Sequence, residues 1–171
     1  MGIPVLPPCT KSQRGFTLIE LIITMAVLAV VAGIAFPSFQ SMIANQRVKS
    51  AANGLAMGLV YTRSEAVKRG GRVSMKAIEG DWSNGWQVIS VTDDEVLRSE
   101  SLSGVVLEQL DGWDDVEIVY LKSGRPDLDL DPDEIDEKFT VCDGGGKATM
   151  RTLSLRFSGQ TNIISDGSCA P

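Results

Sequence analysis

Histidine is absent from the 171 residues. That excludes His-based triads, histidine general bases and His-ligated metal centres. Three cysteines are too few for a Cys₄ zinc site. Basic residues are outnumbered, 16 against 22 acids, and the net charge of −6 disfavours a protein that grips nucleic acid over its whole surface. No nucleophile elbow or dinucleotide fingerprint occurs. Paired acids can hydrolyse sugars, but nothing separates these carboxylates from surface charge. What is present is 43% apolar residues, an ordinary value for a folded chain and too high for disorder throughout.

The apolar residues are segregated. Before Phe16 the chain carries Lys11 and Arg14 and no acid; from Phe16 to Phe39 the one charge is Glu20, and Leu21 to Phe36 has none. Beyond Phe39 the sequence turns polar, Gly-rich and acidic. Such a shift implies an apolar anchor joined to a separate soluble domain. As a helix, Phe16–Phe39 would span about 36 Å, against a hydrocarbon core of about 30 Å. Lys11 and Arg14 would stay cytoplasmic by the positive-inside rule, leaving the rest of the chain outside. A cleaved secretory signal is the competing account, with Gly33-Ile34-Ala35 supplying small residues at a suitable spacing. Glu20 argues against it. An acid in mid-membrane costs about 2.5–3.5 kcal/mol and calls for a partner. No cation lies within the run, so the partner must come from another chain or from a new amino terminus made by cleavage.

The string Arg14-Gly15-Phe16-Thr17-Leu18-Ile19-Glu20 resembles the class III signal of type IV pilins and pseudopilins. The resemblance implies cleavage between Gly15 and Phe16 by a prepilin peptidase, and N-methylation of Phe16. It also implies that Glu20 neutralises the terminal amine of a neighbouring subunit during assembly. A buried carboxylate and a buried ammonium need each other, so the physics agrees.

After Phe39 the apolar residues become periodic: Val48, Ala52, Leu55, Leu59 and Ala66 mark one face of an amphipathic helix. Gly70-Gly71 ends it. Gly33 and Pro37 predict a kink, because the proline ring conflicts with the carbonyl four residues back; similar pilins are thought to melt such a stretch on packing into a filament. Gly54 and Gly58 form a small-xxx-small pair, read as close packing of the helix on its own sheet.

Beyond Gly71 the period becomes two. Arg72–Glu79, Trp86–Val91, Glu95–Glu100, Val105–Leu110, Val116–Lys122, Lys138–Cys142 and Thr152–Phe157 read as strands. Gly80-Asp81, Ser83-Asn84-Gly85, Asp93-Asp94, Gly112 and Gly124 read as turns. The expected fold is α+β and pilin-like, a long N-terminal helix packed on an antiparallel β-sheet or sandwich. The expected segments are a leader over 1–15, a membrane and assembly helix over 16–39, its amphipathic second half over 40–70, and a periplasmic β-rich domain over 71–171. Tyr61-Thr62-Arg63-Ser64-Glu65-Ala66-Val67-Lys68-Arg69 resembles the helix end of the FimT/FimU/GspH group, and Trp82-Ser83-Asn84-Gly85-Trp86 its Trp-rich turn. Leu121-Lys122-Ser123-Gly124-Arg125 and Phe157-Ser158-Gly159 are similar to its two later strand-glycine elements. The two tryptophans are also accounted for by plain packing.

Cys9 falls in the leader, which leaves Cys142 and Cys169. Outside the cytoplasm these most simply form one disulfide, worth about 3–4 kcal/mol by the chain-entropy model, with two free thiols as the alternative; minor pilins of this type often carry such a C-terminal bridge. The stretch Asp127–Glu137 opens as D-x-D-x-D, like a calcium loop, but has Pro132 where an EF-hand needs Gly and Lys138 where it needs Glu. A solvated acidic loop is expected there, and a looser Ca²⁺ site stays open. Gly144-Gly145-Gly146-Lys147 lacks the first glycine and the Ser/Thr of a phosphate loop, and reads as a flexible hairpin loop. No metal, cofactor or catalytic residue is expected.

Some similar pilins bind DNA through a Gly-Arg-x-Arg element. Here the corresponding residues are Gly159-Gln160-Thr161-Asn162, without arginine, and loss of Lys11 and Arg14 makes the mature chain more acidic. Lys68, Arg69, Arg72 and Lys76 remain as a local basic cluster, read as a solvated rim. The resemblance therefore implies a non-enzymatic minor pilin in the bacterial inner membrane, single-pass, with its domain in the periplasm. It would act in priming and assembly of a type IV pilus and could end at the pilus tip. Its implied partners are other minor pilins, the major pilin, the prepilin peptidase and the inner-membrane assembly platform; nucleic acid is not favoured. The rivals are a GspH-type pseudopilin of a type II secretion system, a DNA-binding pilin in natural transformation, and a secreted protein with an ordinary signal.

Overall fold

A computed structural model describes residues 15–110, 117–127 and 137–169. The expected leader and most of the acidic stretch lie outside the described residues. One helix, α1 (Leu18–Arg69), is followed by eight strands: β1 (Val73–Ile78), β2 (Asp81–Ser90), β3 (Glu95–Ser101), β4 (Val106–Leu110), β5 (Glu117–Tyr120), β6 (Glu137–Cys142), β7 (Thr149–Leu155) and β8 (Thr161–Ser168). The chain divides into two units, one ending at Ser38 and one beginning at Phe39.

In the first unit α1 is helical through Gly33 and into Ser38, Pro37 included. Its apolar side chains, Leu18 to Ile34 and Phe36, are exposed all round the helix. A helix apolar on every side has no soluble state of its own, so it has to be covered by lipid or by other chains.

In the second unit the helix is one-sided. Val48, Ala52, Leu55, Leu59 and Ala66 are fully buried, joined by Ala44, Ala51 and Thr62. This is the face that the heptad-like spacing indicated. Gly58 lets it approach the sheet: a Cβ there would lie 2.8 Å from Met75 Cε and 2.9 Å from the Trp86 ring. The helix ends as the Gly-Gly pair requires. Gly70 takes a φ of 64°, its N–H donates to Val67 O, and Gly71 N–H donates to Ala66 O. That bond pattern is a Schellman cap.

Two four-stranded antiparallel sheets follow, ordered β3-β2-β1-β5 and β4-β6-β7-β8. The first carries Val73, Met75, Trp86, Val88, Ile118 and Tyr120 into the core; the second contributes Leu107, Phe139, Val141, Leu153 and Leu155. Trp82 joins them, its ring meeting Phe139 edge-on at 5.4 Å. Beside it, Leu107 N–H donates to Ser83 Oγ at 3.0 Å.

Two expectations are corrected. Ser83-Asn84-Gly85 is not a turn but part of β2, which starts at Asp81; the reversal sits at Glu79-Gly80, both with positive φ. Burial of Trp82 against the second sheet outweighs the turn propensity of its neighbours. Gly85 allows the strand to continue, because its φ of 118° and the closeness of Glu100 O exclude a side chain. The seventh strand ends at Leu155, not Phe157, and an eighth follows it. The sequence of β8, T-N-I-I-S-D-G-S, has no clean alternation; pairing with β7 and the adjacent Cys169 hold it in place. The Gly144–Lys147 segment is, as expected, the loop of a hairpin, joining β6 to β7; Asp143 closes it, Oδ1 and Oδ2 accepting the Lys147 N–H at 3.1 and 3.0 Å and Oδ1 the Ala148 N–H at 2.8 Å.

Candidate assembly and processing site

The residues singled out for processing and assembly come together at the start of α1. Gly15 and Phe16 precede the helix in non-helical backbone, and Phe16 is 86% exposed. The bond between them is thus free of secondary structure. Thr17 is the N-cap. Its Oγ1 accepts the Glu20 N–H at 3.2 Å, while Glu20 Oε2 accepts both the Thr17 N–H and the Thr17 hydroxyl at 3.2 Å. This reciprocal pair is a capping box. Thr17 is a helix-capping residue absent from the expected site residues, although T-x-x-E ahead of an apolar run is the written signature of such a cap. The carboxylate also lies at the positive end of the helix dipole.

The second group ties the end of α1 to the two sheets. The Leu121–Arg125 turn closes through Gly124 N–H to Leu121 O (2.8 Å), and the Arg156–Gln160 turn through Gly159 N–H to Arg156 O (2.7 Å). Gly124 and Gly159 have φ of 79° and 76°. The turns touch: a Cβ on Gly159 would lie 2.8 Å from Gly124 O. Arg63 reaches across from α1 and donates from Nη1 to Gly159 O at 3.3 Å. The Arg125 guanidinium stacks on the Phe157 ring at 3.8 Å. Three of the sequence elements that carried the resemblance therefore meet at one place. Arg63 is their centre, and no spacing rule marks it in advance. Tyr120 is fully buried beside it, and burial pushes its phenol well up.

Cys142 and Cys169 form a disulfide with Cα atoms 5.5 Å apart, joining the end of β6 to the end of β8. The basic cluster is neutralised residue by residue. Lys68 and Arg69 pair with Glu65, Arg69 also with Glu95, Arg72 with Asp127 and Lys76 with Glu117. The Arg69 hydrogen bond, then that of Lys68, holds the Glu65 carboxyl below its ordinary range. Burial would raise Asp143, but the amides of its own turn outweigh burial and lower it. Among the described residues no cluster of three or more Cys, Asp or Glu side chains could hold a metal ion.

Comparison with known proteins agrees with this architecture. Residues 51–160 match the family described as "Type II transport protein GspH", and residues 10–36 match the prokaryotic N-terminal methylation motif. Among curated relatives, a fimbrial protein of Moraxella nonliquefaciens is 42% identical over 56 residues, 31% of this chain and 36% of that one. A fimbrial protein of Pseudomonas aeruginosa is 34% identical over 71 residues, 42% of this chain and 46% of that one. The chain thus spans less than half the length of these relatives. Among solved structures, the type IV minor pilin FimU of Pseudomonas aeruginosa superposes with a TM-score of 0.56 at 22% identity, covering 71% of this chain and 99% of FimU. The minor pseudopilin EpsH of the Vibrio cholerae type 2 secretion system gives 0.52 at 13% identity, covering 70% and 97%. At these identities the two structures speak for a shared fold. Members of this class are structural proteins and not enzymes. The long helix with its N-terminal motif, the two antiparallel sheets and the family match give one conclusion: the chain belongs to the GspH family of type IV pilin-like minor pilins and pseudopilins.

Proposed function

We propose that the chain is a minor pilin that primes assembly of a type IV pilus and can remain at its tip. The observation that carries this reading is the start of α1. A capped helix, apolar on every side, follows an exposed Gly15–Phe16 bond and leads into a folded domain. That arrangement suits a subunit stored in a membrane and then moved into a bundle of similar helices. Relatives named as fimbrial proteins support a pilus. In this scheme a prepilin peptidase cuts between Gly15 and Phe16, and Phe16 is N-methylated. Glu20 then meets the amine of a neighbouring subunit. The helix crosses the inner membrane once, with the domain in the periplasm, and its Gly33–Pro37 turn is the point of least resistance to melting. Other minor pilins, the major pilin and the assembly platform are its partners.

The test is the amount of filament sheared from cells lacking the protein, beside a complemented control. Loss of surface pili is expected. Normal pili with impaired protein secretion would assign the chain to a type II secretion pseudopilus, the reading that the family description and EpsH favour. A DNA receptor is disfavoured, because each of Lys68, Arg69, Arg72 and Lys76 is already paired with an acid.

A further inference from the structure

Near the start of the second unit a cavity of about 480 Å³ opens between α1 and two loops, lined by Gln40, Ile43, Arg47, Gly104, Asp143 and Lys147. Two basic side chains converge on it, Arg47 from the helix and Lys147 from a loop. Neither Arg47 nor Lys147 has an acid within ion-pair distance among the described residues. Asp143 does line the cavity, but its carboxylate is spent on the amides of Lys147 and Ala148. Lys147 Nζ is held at the helix by donating to Gln40 Oε1 at 2.6 Å. Gly104 leaves room for the arginine, since a Cβ there would lie 3.3 Å from Arg47 Nη1.

The position of the cavity along the chain gives its occupant. Phe39, Met42 and Ile43 are all more than half exposed. Gln40 follows the last residue of the apolar run directly, and Arg47 lies about 10 Å further along the helix axis. Headgroups extend for several ångströms beyond the hydrocarbon, and a long basic side chain reaches back toward them. Two cations with no acid partner among the described residues, beside exposed apolar residues just past the apolar run of the helix, have the composition of an interfacial lipid site. We infer that Arg47 and Lys147 hold the phosphodiester of an anionic phospholipid in the leaflet facing the domain, docking the domain on the membrane before assembly. This rests on the membrane-anchored reading above.

The experiment uses the full chain in lipid nanodiscs of phosphatidylcholine, with and without phosphatidylglycerol. Amide hydrogen exchange is followed across residues 40–48 and 143–149. Phosphatidylglycerol is expected to slow exchange in both segments. An Arg47→Gln/Lys147→Gln double variant is expected to lose that difference while keeping its thermal midpoint. Equal exchange in the two lipids overturns the proposal. So does equal slowing by inorganic phosphate in neutral discs, which would make the cavity a general anion site. Slowing in neutral discs only on addition of a second pilin-type subunit assigns the cavity to a subunit interface and likewise overturns it. A chain that alkaline carbonate strips from the bilayer refutes the anchor itself, a failure distinct from that of the headgroup site.

Discussion

Gly159 and Gly80 form a natural pair for measuring what the meeting of the two glycine turns contributes. Both are left-handed, at φ of 76° and 75°. They differ in surroundings. A Cβ on Gly80 meets nothing within 4 Å, whereas one on Gly159 lies 2.8 Å from Gly124 O, a backbone atom that cannot swing aside. Gly80→Ala therefore carries only the left-handed penalty of an L-residue, about 1–2 kcal/mol. Gly159→Ala carries the same penalty plus overpacking of about 1–3 kcal/mol. Displacing Gly159 O also strains its hydrogen bond from Arg63, and bonds to charged groups are worth about 1.5–3 kcal/mol. The sum is about 4 kcal/mol or more. For a chain of this size each kcal/mol moves the midpoint by about 2–4 °C. Thermal unfolding of the full chain in detergent, followed by the fluorescence of the buried Trp82 and Trp86, should place Gly80→Ala a few degrees below the parent. Gly159→Ala should lie at least about 8 °C below it. Midpoints that coincide for the two variants would refute the reasoning, since the shared φ would then account for the whole effect.

Four further outcomes are expected. Glu20→Gln keeps the capping box, which Gln also forms, but removes the charge; the chain should be processed normally yet be missing from sheared filaments, and normal incorporation would show that the charge is dispensable. Gly15→Val should leave the leader attached, read as the larger mass of the intact chain; a variant product that still begins at Phe16 would show that Gly15 does not determine the cut. Cys142→Ser should lower stability by about 3–4 kcal/mol in denaturant unfolding, and an unchanged midpoint would show that the bridge adds nothing. Glu65 and Asp143 have folded pKa values below their ordinary 4.5 and 3.8. Their stabilisation is complete above those values and is lost as the pH falls through the lower folded ones. The unfolding midpoint should therefore hold down to about pH 4.5 and then drop, more shallowly in Glu65→Gln.

What the sequence made legible follows from how local each signal is. The apolar run, the buried face from Val48 to Ala66 and the Gly70 stop are written in periodicity and in one residue's φ, so they are read without tertiary information. The disulfide follows from scarcity, since two cysteines outside the leader have one pairing. The start of β2 is different. Ser83-Asn84-Gly85 has turn chemistry, and contacts distant in sequence hold it extended: Trp82 on Phe139, more than fifty residues away, and the Leu107 N–H on Ser83 Oγ. Strand β8 is likewise specified by its partner β7 and by Cys169 rather than by its own residues. The place of Arg63 is the least legible. Its role arises where turns from both sheets converge, and nothing in its helical neighbours marks it.

The capping box gives the proposed cleavage an electrostatic consequence. Before the cut, Phe16 N is a neutral amide beside the cap. After it, the same atom is an ammonium next to the positive end of a long helix dipole, an unfavourable place for a cation. Glu20 is already fixed there by Thr17, through two bonds to one oxygen, Oε2. A carboxylate accepts about four bonds, so the other oxygen, Oε1, retains capacity for an ammonium donor. Processing would thus create the cation beside a carboxylate that the precursor has already ordered. In lipid the unmatched charge is costly enough that the amine would seek this carboxylate or that of an adjoining subunit. The choice between them is set by helix packing, because Thr17 fixes the carboxylate's place and leaves only the partner to be selected.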